Sequence, residues 1–153
     1  MLAPEDVEQG CVRFIDLGLC RPYRNLDTSA HLPDKGTLHT AGTRLFISLN
    51  GHLHRSPSRR DDMEALSYTL LALVVDRLPW ESRIQRHLFS RRLFDLKKQW
   101  SGAYLVGELS LFGEYVDYTR NLTYTEEPDY ARWRDRFRTL VPDLPDDPLV
   151  RSL

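Results

Sequence analysis

The stretch from Ser58 to Val75 constrains the fold more than any other part of the chain. It reads Ser-Arg-Arg-Asp-Asp-Met-Glu-Ala-Leu-Ser-Tyr-Thr-Leu-Leu-Ala-Leu-Val-Val. Asp61, Asp62 and Glu64 cluster where the first turn of a helix would lie, and the positive end of the helix dipole favours carboxylates there. Met63, Leu66, Leu70, Leu73 and Val74 then recur at helical spacing. Leu71, Ala72 and Val75 make the second half apolar nearly all round. That pattern predicts a helix buried on every side. Pro79 marks its end.

The rest of the chain is organised around this helix. With 153 residues there is room for one domain. Cys11-Val-Arg-Phe-Ile15 favours a short strand, and Asp16-Leu17-Gly18 turns it. From residue 20 to residue 58 the punctuation by Pro22, Asn25, Pro33, Asp34, Gly36, Gly42, Asn50, Gly51 and Pro57 predicts a long irregular loop. Such loops tend to be functional. Phe112, Tyr115, Val116, Thr119 and Leu122 suggest a further helix. Pro128-Asp129 precedes another, with Tyr130, Trp133, Phe137 and Leu140 on one face and Pro142 as its stop. A mainly α fold with one small β element is expected.

Composition excludes several classes of function. Lys plus Arg is 21 and Asp plus Glu is 22, a net charge of −1, which suits no general polyanion binder. Two cysteines, Cys11 and Cys20, are too few for a disulfide framework or a four-thiolate zinc site. No apolar run approaches the roughly 20 residues that span a bilayer, and the acidic start Met1-Leu-Ala-Pro-Glu-Asp is wrong for a signal peptide. A soluble protein of the cytoplasm or nucleus is the expectation.

Three segments in fixed order carry a resemblance. They are Phe14-Ile15-Asp16-Leu17-Gly18-Leu19, Gly42-Thr43-Arg44-Leu45-Phe46-Ile47-Ser48-Leu49-Asn50-Gly51-His52-Leu53, and Ser58-Arg59-Arg60-Asp61-Asp62-Met63-Glu64-Ala65-Leu66 closed by Leu78-Pro79-Trp80. Together they resemble the C-terminal lobe of protein kinases of the casein kinase 1 family. There an Asp-Phe-Gly motif, a Gly-Thr to Ser-x-Asn-x-His-x-Gly activation segment and a Ser-Arg-Arg-Asp-Asp-Leu-Glu helix start follow one another. Lys97-Lys98, the helix around Tyr115 and the Pro128 to Arg138 stretch look like the family's last helices. The resemblance spans residues 1–141; residues 142–153, rich in Pro and Asp, read as a flexible tail.

The resemblance implies a protein serine/threonine kinase, which transfers the γ-phosphate of ATP to protein hydroxyls, and so implies ATP, Mg²⁺ and a protein substrate. It makes Asp16 the magnesium-binding position, with Gly18 for the sharp turn after it. It puts Asp62 on the central helix in a structural role, bonded to the catalytic-loop backbone. Arg44 and Arg91 are its candidates for an anion or acidic substrate group. The match has departures: Leu17 stands for the usual Phe, His54 for a Gly, and Leu45 occupies the position of the family's anion-binding Arg, with Arg44 one residue before it.

A kinase also needs a Gly-rich loop, a strand Lys paired to a helix Glu, and a His-Arg-Asp to Asn catalytic loop. None occurs in these 153 residues, and Lys is present only at 35, 97 and 98. The expectation is a C-lobe beginning just past the catalytic loop, inactive alone, binding ATP and Mg²⁺ poorly through Asp16, and able to self-associate through its uncovered face. The alternative is a non-catalytic, pseudokinase-like module that binds a protein or acidic ligand through Arg44 and Arg91.

Other features read more plainly. His52-x-His54 has no further ligands at metal spacing, so packing or solvated histidines are expected. Residues 83–98 carry six cations against Asp95, a local +5; a solvated face is the usual explanation, and nucleic-acid binding there is the weakest of the three readings. Trp80, Trp100 and Trp133 read as core residues. Neither Ser48 nor Ser67 has a nucleophile's companions.

Overall fold

The fold was analysed in a computed structural model, which describes residues 15–39, 41–81 and 90–142. Five α-helices are present among them: α1 (Leu49–His52), α2 (Arg59–Val74), α3 (Ser90–Gln99), α4 (Ser110–Asn121) and α5 (Tyr130–Arg138). Single 3-10 turns sit at Leu17–Leu19, Gly102–Tyr104 and Gly107–Leu109. The expected mainly α architecture is what forms. The N-terminal strand lies outside the described residues except for Ile15, which is not in a strand and is exposed. Most of the tail lies outside them too.

Helix α2 runs against α4, and this pair is the frame of the fold. One core joins Tyr68 and Leu71 of α2, Leu78 and Trp80 after it, Leu93 of α3 and Val116 of α4. A second joins Leu111 and Tyr115 of α4 to Trp133 of α5, with Met63 and Leu70 of α2 packed alongside. The three tryptophans are core or core-edge residues as expected: Trp80 and Trp133 are buried, and Trp100 is half-buried with its ring edge 5.7 Å from Trp80 by centroids.

Helix α2 corrects the expectation of burial on every side. Its buried residues are Asp61, Glu64, Ser67, Tyr68 and Leu71, whereas Leu66, Leu73 and Val74 are 42%, 77% and 41% exposed. The reason is local. The inward face of α2 meets the irregular backbone before and within α1, whose N–H and hydroxyl groups need acceptors, so carboxylates fill positions that periodicity would give to leucines. Helix α4, with Leu111, Gly113, Tyr115, Val116 and Thr119 all buried over fewer residues, is covered at least as thoroughly.

The approach of α4 to the turn before it depends on two glycines. A Cβ on Gly102 would lie 1.9 Å from the Gly113 carbonyl oxygen, and one on Gly113 would lie 2.2 Å from that of Gly102. Asp117, one turn further along α4, accepts the Gly102 amide at 2.9 Å and the Ser101 hydroxyl at 3.2 Å. Helix α5 begins as its sequence predicts, with Asp129 accepting the Arg132 amide at 3.0 Å.

The region from 20 to 58 is irregular apart from the short α1, and it is pinned. Asn25 Oδ1 accepts the amides of Asp27 and Thr28, both at 2.9 Å. Asp34 Oδ1 accepts those of Gly36 and Ser56 at 3.1 and 2.9 Å. Tyr23 lies under the Arg59 guanidinium, and His31 packs edge-on against Tyr124 with centroids 4.7 Å apart. Arg59 pairs with the exposed Glu127 at 3.1 Å and donates to the Thr125 carbonyl at 3.1 Å.

Candidate functional site

The three motif segments take up separate geometries. At Asp16-Leu17-Gly18 the chain makes a 3-10 turn, and Asp16 itself holds the left-handed conformation, φ 60° and ψ 64°. Gly18 lies within this turn, and its φ is not in the left-handed region. Aspartate tolerates that region better than most residues because its short polar side chain bonds locally. The Asp16 side chain is exposed.

Asp16 is the position that the resemblance gives to magnesium. A hard dication needs several oxygen ligands. Among the described residues no group of three or more His, Cys, Asp or Glu side chains comes together to hold an ion. One exposed carboxylate alone does not meet that requirement.

The second and third segments are brought together by buried polar bonds. Asp61 accepts the Ser48 hydroxyl at 2.6 Å through Oδ1 and the Ser58 amide at 2.9 Å through Oδ2. Glu64, 1% exposed, accepts the Leu49 amide at 2.9 Å and a short bond from the Tyr68 hydroxyl. Arg120 of α4 closes the other side: it lies 3.8 Å from Glu64, donates to the Tyr68 oxygen at 2.9 and 3.1 Å, and donates to the Trp100 carbonyl at 2.5 Å. Burial raises the Glu64 carboxyl above the usual range, opposed by Tyr68, the Leu49 amide and Arg120.

The carboxylate that anchors the start of α2 is therefore Asp61. Asp62, to which the resemblance gives a bond to the catalytic-loop backbone, is its exposed neighbour, and that partner is not among these residues. Consecutive helical residues point about 100° apart, so the chain geometry at Ser58 selects between them.

A corner of positive charge surrounds His52. Its ring meets Phe94 edge-on at 6.2 Å, Arg91 lies 5.9 Å and Lys98 6.0 Å from the centre of the same Phe94 ring, and α1 packs on α3. Burial holds the His52 imidazole down to about 4, and the charges of Lys97, Arg44 and His54 push the same way. Arg91 thus stands beside the phenylalanine that His52 meets, and Arg44 is near enough to His52 for its charge to act on the imidazole. Both arginines are exposed, and Arg91 also lies 3.6 Å from Asp95.

Lys97 was missed by the sequence reading, which took the basic run as a solvated face. It is 0% exposed. The start of that run, residues 83–89, lies outside the described residues. The signal available was its place beside Leu93, Phe94 and Leu96 on a helix, which its charge disguised.

Among the described residues no helix is long and apolar enough to cross a membrane. No family model matches the chain. Casein kinase I homolog RAG8 of Kluyveromyces lactis is 31% identical to it over 144 residues, 92% of this chain and 27% of that protein. Casein kinase I homolog 2 of Saccharomyces cerevisiae is 32% identical over 144 residues, 92% of this chain and 26% of that protein. Casein kinase I homolog 1 of the same yeast is 31% identical over the same shares as the first. The chain spans about a quarter of the length of the relatives it matches.

Proposed function

We propose that the chain, 31–32% identical to casein kinase I homologues over 92% of its length, is the C-terminal-lobe part of such a serine/threonine kinase: the part that engages the protein substrate, not the part that transfers phosphate. The observation that carries this is the bonding of the Ser48-Leu49-Asn50 segment to the Arg-Arg-Asp-Asp helix through Asp61 and Glu64. It places the two most family-like motifs against each other as one buried unit. The class reaction moves the γ-phosphate of ATP, held with Mg²⁺, to a protein hydroxyl. Phosphoryl transfer is mostly positioning and charge stabilisation, and these residues contain neither a nucleotide lysine nor a catalytic-loop aspartate.

Arg44 and Arg91 are the groups we assign to an acidic or phosphorylated stretch of substrate, with His52 behind them. On this reading the protein is intracellular. Its exposed Ile15, Leu17, Leu19, Leu66 and Leu73 favour association between copies, since apolar patches left in water mark partner sites or aggregation.

Two assays test the reading. A fluorescent phosphoserine peptide is expected to bind more tightly than its unphosphorylated twin, with Arg44→Ala abolishing the difference. Equal binding of the two peptides would remove the substrate role. The 153-residue chain with Mg-ATP and casein is expected to incorporate no phosphate above background; incorporation abolished by Asp16→Ala would show that the transfer machinery is present after all.

A further inference from the structure

Lys97 is the residue whose environment the kinase reading leaves unexplained. It lies on α3, yet it is 0% exposed. Its Nζ sits 4.8 Å from the centre of the Tyr68 ring and 5.6 Å from that of Trp80. A lysine ammonium is strongly hydrated, and burying it is costly unless its hydrogens find acceptors. Two of them do: Nζ donates to the Ile47 carbonyl at 2.6 Å and to the Arg44 carbonyl at 3.1 Å. Both acceptors belong to irregular backbone that no helix or strand supports.

The same stretch is held at other points. The amides of Phe46 and Ile47 donate to the Thr43 carbonyl at 2.8 and 3.2 Å, closing a turn. Trp80 Nε1 donates to the Leu45 carbonyl at 3.1 Å. Beyond the turn, Asp61 takes the Ser48 hydroxyl and Glu64 the Leu49 amide. Lys97 grips two carbonyls of this turn, and it does so from α3, whose exposed side carries Arg91.

We propose that Lys97 is a positioning residue: its buried ammonium ties the Arg44–Ile47 turn to α3, and so fixes where the exposed Arg44 stands relative to His52 and Arg91. The inference concerns the turn and holds whether or not the chain belongs to an active kinase. The charged and titratable groups around Lys97 are Glu64 and Tyr68 from α2, Arg120 from α4, and Arg44 and His52 from the segment it holds. Burial lowers Lys97 to about 7, Glu64 opposing and Arg120 adding, so the test belongs near pH 6, where the amine is charged.

Lys97→Met keeps the side-chain length and volume and removes the donors. A lysine that only fills the core is replaced by methionine without local consequence. A lysine that holds the turn is not. In amide exchange on the full chain at pH 6, we expect Phe46 and Ile47 to exchange about tenfold faster in Lys97→Met, while Leu71 and Val116 in the core stay as slow as in the parent. A folded variant with unchanged exchange at Phe46 and Ile47 overturns the proposal. Should the variant not fold, the parent protein decides it. Nitrogen-detected NMR of the lysine ammonium groups is expected to show Lys97 exchanging its protons about a hundredfold more slowly than Lys35 and Lys98, and equal rates for the three overturn the proposal.

Discussion

Ser48 and Asp61 meet side chain to side chain, Ser48 Oγ donating to Asp61 Oδ1 at 2.6 Å. The other Asp61 oxygen takes the Ser58 amide at 2.9 Å. One buried carboxylate thus fastens two things at once: the entry of α1 and the first turn of α2. Hydrogen bonds to a charged acceptor contribute about 1.5–3 kcal/mol each, and loss of a capping interaction costs about 1 kcal/mol. Asp61→Ala is expected to destabilise the chain by roughly 2–4 kcal/mol, measured by urea unfolding. Asp62→Ala, at an exposed position, should stay within about 0.5 kcal/mol. Equal losses at the two positions would contradict the assignment of the anchor to Asp61.

The contact between Gly102 and Gly113 makes a steric prediction. A Cβ at either position falls within 2.2 Å of a carbonyl oxygen of the other. Neither backbone can yield without moving α4 from the Gly102–Tyr104 turn. Gly113→Ala should cost about 3 kcal/mol or more, because overpacking here falls on backbone atoms and not on a flexible side chain. Gly107→Ala is the control: its φ is +63° but nothing lies within 4 Å of the added carbon, so only the conformational penalty of about 1–2 kcal/mol applies. Thermal melts of the two variants should separate clearly, with Gly113→Ala the lower.

His52 gives the stability a pH dependence of known sign. Its folded-state pKa is lowered to about 4 from an unfolded value of 6.5, by burial first and then by Lys97, Arg44 and His54. Between those values the unfolded chain holds the proton and the folded chain does not. Stability is therefore fully present above pH 6.5 and is lost as the pH falls through 4. The buried Glu64 carboxyl is raised and acts in the opposite direction above its unfolded value of 4.5, so the informative quantity is the difference between parent and His52→Gln. That difference is expected to shrink steadily from pH 6.5 to pH 4. A parallel pair of stability curves over this range would show that His52 titrates normally.

Much of this arrangement was legible in the sequence where local chemistry decides it. The start of α2 at Arg59 follows from Ser58 and the acidic first turn, and α5 follows from Asp129 as its cap. The aromatic spacing of Tyr115, Trp133 and Phe137 anticipated the second core, in which Tyr115 and Phe137 meet edge-on at 5.2 Å. The polar interior was not legible. Asp61, Glu64 and Lys97 carry residue types that usually face water, and each is buried because of a partner far along the chain: Ser48, Leu49 and Ile47. Periodicity assigns leucines to a core. It cannot see that irregular backbone elsewhere will need acceptors and donors at that very face.

Arg120 is the clearest case of such a partner, and its loss gives the most severe outcome expected. Its side chain is 10% exposed, it lies 3.8 Å from the buried Glu64, and it donates to the Tyr68 oxygen and the Trp100 carbonyl. Removing one member of a buried pair leaves the other charge without compensation, at about 3–5 kcal/mol. Arg120→Met should therefore destabilise the chain by that much, in urea unfolding near neutral pH. Glu64 would then hold its proton to higher pH than in the parent, since Arg120 is one of the groups that lower it. Its variant should recover part of the lost stability as the pH is lowered toward 5, where protonation relieves the unpaired carboxylate. Adding Glu64→Gln to Arg120→Met tests the coupling. The second substitution is expected to cost much less in that background than alone, and strictly additive losses would show that the two side chains do not act as a pair.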